Sequence, residues 1–258
     1  MLDYLQSDPR GFLLFMLYRA PAVLLALTLH EVAHGYVALR CNDPTARDLG
    51  RLSLNPLRHL DPMGTVFLFL LGFGWAKPVP VNPNNFRRGR RDDVLVSLAG
   101  VTTNFILFVV GTLLTVLIGH FLYQSDALAA LGGMTFFLGF RENGFIIQLY
   151  PEYAQQLMPL LQTPWLLHIQ RFLLNFCMIN LGLCLFNLLP IPPLDGFHVF
   201  NDILLKGRLR LNNQVFRLTQ IALLVLMFAT NIISKVVGTA INFVQSAVLG
   251  GMLRLFGL

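Results

Sequence analysis

The sequence predicts an all-α polytopic membrane protein, built as a three-helix core with at least one extra transmembrane helix and a short membrane-associated β segment. Three observations carry that expectation. Hydrophobic residues fill 55% of the 258 positions and charged residues only 12%, about half the charged share of a soluble domain. Several apolar segments reach the roughly 20 residues needed to cross a hydrocarbon core of about 30 Å. Thirteen of the 19 basic residues fall in two stretches, nine from Arg40 to Arg91 and four from Lys206 to Arg217. Such clustering between apolar segments is the positive-inside pattern of a polytopic membrane protein.

The elements follow in order. The first apolar segment runs from about Gly11 to Leu39, long enough to span. It carries Arg19 and leads into the candidate site residues, so it reads as a retained helix rather than a cleavable signal. Residues 40–62 are polar and rich in Arg, Asn and Pro. Residues 63–75 are apolar but too short to cross, which suggests a re-entrant or interfacial piece. The run Lys77-Pro78-Val79-Pro80-Val81-Asn82-Pro83 excludes helix and allows only edge strand or extended loop. A second span is expected from about Val94 to Leu122, and a third from about Leu166 to Leu189, ending at Pro190. Between them, residues 123–164 are mixed, with an amphipathic helix expected over Pro151–Leu161. A fourth apolar segment runs from about Phe216 to Ile233. The remainder, Val236 to Leu258, reads as a fifth span or an interfacial helix. Residues 1–258 therefore form one membrane-embedded domain, its core over about 11–205 and its C-terminal helices over about 215–258. The charge rule places loops 40–93 and 190–217 on the cytoplasmic side, with the N-terminus outside.

Composition also narrows the chemistry. The net charge is +6, but no basic stretch interleaves with aromatics on a soluble element, so no nucleic acid partner is expected. Cys41, Cys177 and Cys184 are odd in number and lack paired spacing, which argues against a disulfide framework or a zinc knuckle. No internal repeat and no low-complexity tract is visible.

The strongest signal is His30-Glu31-Val32-Ala33-His34. On a helix, positions i and i+4 share a face, so both imidazoles can reach one metal ion. Glu31 projects beside that ion, where it can take a proton from a water whose pKa zinc lowers to roughly 7. Three ionisable groups in five residues near the end of an apolar span are expensive to bury and point to function. A catalytic zinc takes three protein ligands and one open position, so a third ligand is needed. The Pro-broken stretch Asn187-Leu188-Leu189-Pro190-Ile191-Pro192-Pro193-Leu194-Asp195-Gly196-Phe197-His198 offers Asp195, with His198 as competitor. Read blandly, Asp195 is a helix cap beside a turn glycine.

Leu194-Asp195-Gly196 downstream of His-Glu-x-x-His in a membrane span resembles the site-2 protease family of intramembrane zinc metalloproteases. Asn55-Pro56-Leu57-Arg58-His59-Leu60-Asp61-Pro62 and Gly74-Trp75-Ala76-Lys77-Pro78-Val79-Pro80-Val81-Asn82 resemble its compact prokaryotic branch. So does Ser97-Leu98-Ala99-Gly100-x-x-x-Asn104. The resemblance covers roughly residues 20–205. It implies His30, His34 and Asp195 as ligands of one Zn2+ per chain and Glu31 as the general base. It implies that Asn104 lies near the metal and holds the substrate strand or the developing oxyanion; the bland reading is an interhelical hydrogen bond. One departure is Val101, where the family commonly has Pro.

The expected function is a zinc-dependent intramembrane endopeptidase that cuts transmembrane segments of membrane proteins. It would sit in the lipid bilayer of a prokaryotic cell membrane, with its active site toward the cytoplasmic side. The rival is a non-catalytic membrane metal-binding protein or transporter, which explains the intramembrane His and Asp but not a carboxylate between the two histidines. His59 reads either as a structural hydrogen-bonder or as a residue that acts in or regulates the site, Asn187 either as a partner for freed backbone groups or as a substrate contact, and His120 and His168 as interfacial.

Overall fold

In the computed structural model, residues 1–71, 74–209 and 211–257 are described. A short helix α1 (Leu2–Ser7) precedes α2 (Pro9–Arg40), α3 (Thr45–Asp48) and α4 (Pro62–Leu71); α5 (Arg90–Leu122) follows. Next come α6 (Ser125–Leu131), α7 (Met134–Leu138), α8 (Asn143–Leu149) and α9 (Ala154–Leu157). The chain closes with α10 (Leu166–Asn187), α11 (Asp195–Ile203), α12 (Asn213–Ala229) and α13 (Ile232–Phe256).

Among the described residues four helices are long and apolar enough to cross a membrane: α2, α5, α10 and α13. At 1.5 Å per residue, α2 (32 residues) and α5 (33 residues) reach roughly 50 Å, well beyond the hydrocarbon core. Their ends therefore project into the interface, and the site lies toward one such end. The first three spans match the expected segments. The fourth differs. The segment expected from Phe216 to Ile233 breaks at Thr230 and Asn231, so α12 is only 17 residues long, and Ile232–Phe256 forms the crossing helix. Thr230 is extended, and a Thr-Asn pair competes with the backbone for hydrogen bonds, which favours helix ends over interiors.

Helix α5 is the centre of the packing, against α2, α10 and α11. Its face toward α10 carries Gly111, where an added Cβ would lie 2.7 Å from Cys177 Sγ. Small residues let membrane helices approach closely where no hydrophobic force separates helix from lipid. Phe108, Cys177 and Leu181 fill the seam. Polar groups buried in it are mostly tied to nearby carbonyls: Thr112 to Phe108 O at 2.8 Å, Asn180 to Phe176 O at 2.8 Å, and Gln170 to Thr115 O across the interface at 3.2 Å.

Residues 123–165 form a folded cap over the end of the bundle away from His30. Tyr123 stacks on Phe137 at 3.9 Å, and Phe145, Leu157 and Leu174 join the same apolar cluster. The amphipathic helix expected over Pro151–Leu161 is instead two 3-10 turns flanking the single turn of α9. Pro159 lacks the N–H that a continuous helix would need at that place.

The expected β segment is likewise modest. Among the described residues it amounts to one antiparallel bridge, Leu60 to Ala76, while residues 77–82 run extended without a strand partner. Prolines at 78 and 80 remove donors a ladder requires, and the donors that remain go elsewhere. Lys77 N–H bonds His59 O at 2.8 Å, Val79 N–H bonds the Glu31 carboxylate at 2.7 Å, and Asn82 N–H bonds Asp43 Oδ2 at 2.7 Å. The apolar piece expected at 63–75 is helical through Leu71; residues 72 and 73 lie outside the described residues.

Candidate metal centre

Near the C-terminal end of α2, His30 and His34 stand one turn apart with their rings 4.6 Å centre to centre and nearly perpendicular. Each ring is held from behind. His34 Nδ1 donates to the Val96 carbonyl at 2.7 Å, and His30 Nδ1 donates to Asn104 Oδ1 at 3.0 Å. Both partners belong to α5, so the packing of α5 on α2 sets both tautomers and leaves each Nε2 as a lone pair.

Helix α5 can come this close because residue 100 is glycine. A Cβ there would sit 2.4 Å from His34 Nε2 and 2.5 Å from His30 Cε1, so any side chain would occupy the space the imidazoles need.

Asp195 arrives from the opposite side. The Pro-rich turn after α10, with a cis bond between Pro192 and Pro193, puts Asp195 at the first position of α11. The adjacent Gly196 packs on the chain end of α10, where a Cβ would lie 2.3 Å from Leu188 O. Asp195 Oδ2 lies 3.3 Å from each Nε2, and the two Nε2 atoms are 3.0 Å apart. Burial opposes ionisation of Asp195, but the two imidazoles 3.3 Å away outweigh it and hold the carboxyl well below the usual carboxylate range. An acid in the first turn of a helix is further favoured by the dipole.

These three groups suit a cation. With both Nδ1 hydrogens committed to α5, each neutral imidazole presents its Nε2 as a lone pair, and the buried Asp195 Oδ2 has no hydrogen-bond partner. Three lone pairs thus converge on one point. Their separations approach the edges of roughly 3.3 Å in a tetrahedron of ligands about 2.0–2.1 Å from zinc. His30, His34 and Asp195 are the one group of three potential metal-binding side chains among the described residues.

A cavity of about 730 Å³ opens beside them, lined by Glu31, Trp75, Val79, Asp93, Asn187 and His198 among others. Glu31 is half-buried, and its carboxylate accepts the Val79 N–H. His198 does not join the triad: its Nδ1 lies 3.6 Å from Asp93 Oδ2. Asp202 of α11 faces the same Asp93 carboxylate of α5. The ion pair with Asp93 raises the His198 imidazole above its ordinary value, and burial together with Asp93 pushes Asp202 up to about 6.

The other sequence candidates fall where packing explains them. His59 is buried with Nε2 on Ser53 O at 2.7 Å, and its carbonyl anchors Lys77. Asn187 lines the cavity and bonds Leu183 O one turn back at 3.1 Å. His168 meets Tyr18 OH at 2.6 Å, and His120 is exposed. Asn104 is fully buried and spans α5 to α2. Sequence reasoning missed Asp93, the Val96 carbonyl and the Val79 N–H. Two are backbone groups with no sequence signature, and Asp93 resembles any acid in a first helical turn.

Comparison with known proteins agrees with this geometry. The model of the family described as Peptidase family M50 matches residues 18–230. The chain is similar to the Bacillus subtilis (strain 168) protein named "Putative zinc metalloprotease YwhC", 36% identical over 192 residues that cover 74% of this chain and 71% of that protein. It is also similar to the Mycolicibacterium smegmatis protein named "Putative zinc metalloprotease Rip2", 33% identical over 91 residues, 33% of this chain and 35% of that one. No solved structure matches.

Proposed function

The chain belongs to peptidase family M50, the site-2 proteases, as a zinc metallopeptidase of the membrane, and from that premise we propose that it cuts peptide bonds in or near transmembrane segments of other membrane proteins. The observation that carries the site assignment is the convergence of His30 Nε2, His34 Nε2 and Asp195 Oδ2, which lie 3.0–3.3 Å from one another. In this reading those three residues hold Zn2+. When bound, zinc supplies Lewis-acid polarisation and makes water acidic enough to deprotonate near neutral pH.

The chain's own residues do the rest. Glu31 takes the proton of the attacking water and returns it to the leaving amine. The Val79 N–H keeps the Glu31 carboxylate turned toward the cavity. Asn104 orients His30, a role the hydrogen bond supports more directly than oxyanion contact. The extended residues 77–82 form a wall of the cavity, against which an unwound substrate segment lies as an added strand. The basic loops beside the site support cleavage toward the cytoplasmic side of a prokaryotic cell membrane. A transporter would have no use for Glu31 at this place.

The test is zinc content and cleavage of a transmembrane substrate by purified wild type, Glu31→Gln and Asp195→Ala. Glu31→Gln is expected to keep about one zinc and lose cleavage, and Asp195→Ala to lose both. Full cleavage by Glu31→Gln would refute the mechanism.

A further inference from the structure

A second cavity, of about 650 Å³, lies beyond the catalytic one, where the start of α5 meets the end of α11. Arg88, Arg90, Arg91 and Lys206 line it, together with Val94, Leu95 and Ile203. All four basic side chains are exposed, and none of them makes a hydrogen bond or ion pair with the described protein. The one acid in the lining, Asp202, is shared between Arg90 and the Asp93–His198 pair. Four cations therefore face a single acid, and the pocket keeps a net positive charge.

The pocket is constructed rather than incidental. Lys206 is held at φ +55 and Gly207 at φ +70, a conformation that lysine rarely adopts. Asn201 clasps this turn from several directions. Its carbonyl accepts Gly207 N–H at 2.9 Å, its Oδ1 accepts Leu209 N–H at 3.1 Å, and its Nδ2 donates to Leu209 O at 3.2 Å. The stem of Arg90 crosses from α5 to pack over Gly207, its Cδ 3.1 Å from where a Cβ would stand.

The pocket also straddles a polarity boundary. Arg88 to Arg91 lie just outside or at the first turn of a membrane-spanning helix, and Leu95 and Ile203, 46% and 59% exposed, continue into its apolar surface. A free anion would need only the cations. A phosphate diester attached to acyl chains uses the cations and the apolar wall together.

We propose that this pocket binds the headgroup of an anionic phospholipid, bridging α5, which backs the two histidines, to α11, which carries Asp195. Basic pockets between membrane helices recognise anionic headgroups, with each basic residue near such a surface contributing about fivefold in affinity. The proposal rests on the chain lying in a bilayer and not on its proteolytic activity.

The test is native mass spectrometry of the full chain in detergent, titrated with phosphatidylglycerol and, separately, phosphatidylcholine. Wild type is expected to hold one phosphatidylglycerol with a clear preference. The triple variant Arg90→Gln, Arg91→Gln, Lys206→Gln is expected to lose about 100-fold of that preference while keeping its zinc. Lys206→Gln alone, at an exposed position, is expected to lose about fivefold and serves if the triple variant does not fold. No lipid preference in wild type, or an undiminished preference in the folded variants, would overturn the proposal. Equal thermal stabilisation by inorganic phosphate and by phosphatidylglycerol would also overturn it, since the pocket would then be a site for free anions.

Discussion

Replacing Gly100 by Ala adds one methyl group at the point where α5 meets the two imidazoles. Its Cβ would stand 2.4 Å from His34 Nε2 and 2.5 Å from His30 Cε1, about 1 Å inside ordinary van der Waals separation. Either α5 moves off α2 or the rings turn. Overpacking of this kind costs about 1–3 kcal/mol. A ring that turns also breaks its Nδ1 bond to Asn104 or Val96, and a stranded buried partner adds about 1–3 kcal/mol. Together these give roughly 2–6 kcal/mol against the zinc-competent arrangement, about a 30- to 20,000-fold loss of zinc affinity. Competition against a chromogenic chelator, with the protein in detergent, measures it. Gly250→Ala is the control: it lies within α13 with no atom within 4 Å of its added Cβ. There the same change is expected to leave zinc binding alone and stabilise by about 0.4–1 kcal/mol. If Gly100→Ala binds zinc within threefold of wild type, the close approach of α5 does not set the ligand geometry and the reasoning fails.

Two further outcomes are expected. Val79→Pro removes the one backbone donor on Glu31 within an already Pro-rich extended run; cleavage should fall about 10- to 100-fold, the equivalent of a lost hydrogen bond to a charged group, with zinc content unchanged. Unaltered cleavage in a zinc-replete variant would show that the Val79 N–H does not position the base. The Asp93–His198–Asp202 link should weaken as pH rises. Its His198 and Asp202 are both raised above their ordinary values of 6.5 and 3.8, so their contributions are complete below those values. They are lost as pH climbs through about 6 for Asp202 and through the higher His198 value. The Tm difference between wild type and His198→Gln should therefore shrink from pH 5.5 to pH 8.5, and a difference that widens would contradict the link.

Much of this protein is set by local chemistry. Long apolar runs must form helices in a bilayer, because helices satisfy every backbone group internally, so three of the spans were legible with nearly their true ends. The i, i+4 spacing of His30 and His34 places both on one face whatever the rest of the chain does. Asp195 could be singled out because a carboxylate at a Pro-broken helix start beside an apolar span demands a partner. The break at Thr230 and Asn231 was harder to read, since hydropathy is continuous across it and only two capping residues mark it. The β segment was overestimated, because extended conformation follows from proline content while pairing depends on what lies alongside.

Tertiary structure alone decided how the histidines are oriented, what holds Glu31, and which cations face one another. The Val96 carbonyl and the Val79 N–H are backbone groups that every residue possesses, so no side-chain pattern announces them. Gly100 and Gly196 matter for what they leave room for, an imidazole pair and a carbonyl, and those neighbours come from other helices. Asp93, His198 and Asp202 are more than 100 residues apart along the chain at their extremes and meet only where α11 lies on α5. Residue type and spacing determine which chemistry is available. Packing between helices determines which lone pairs are left free to use it.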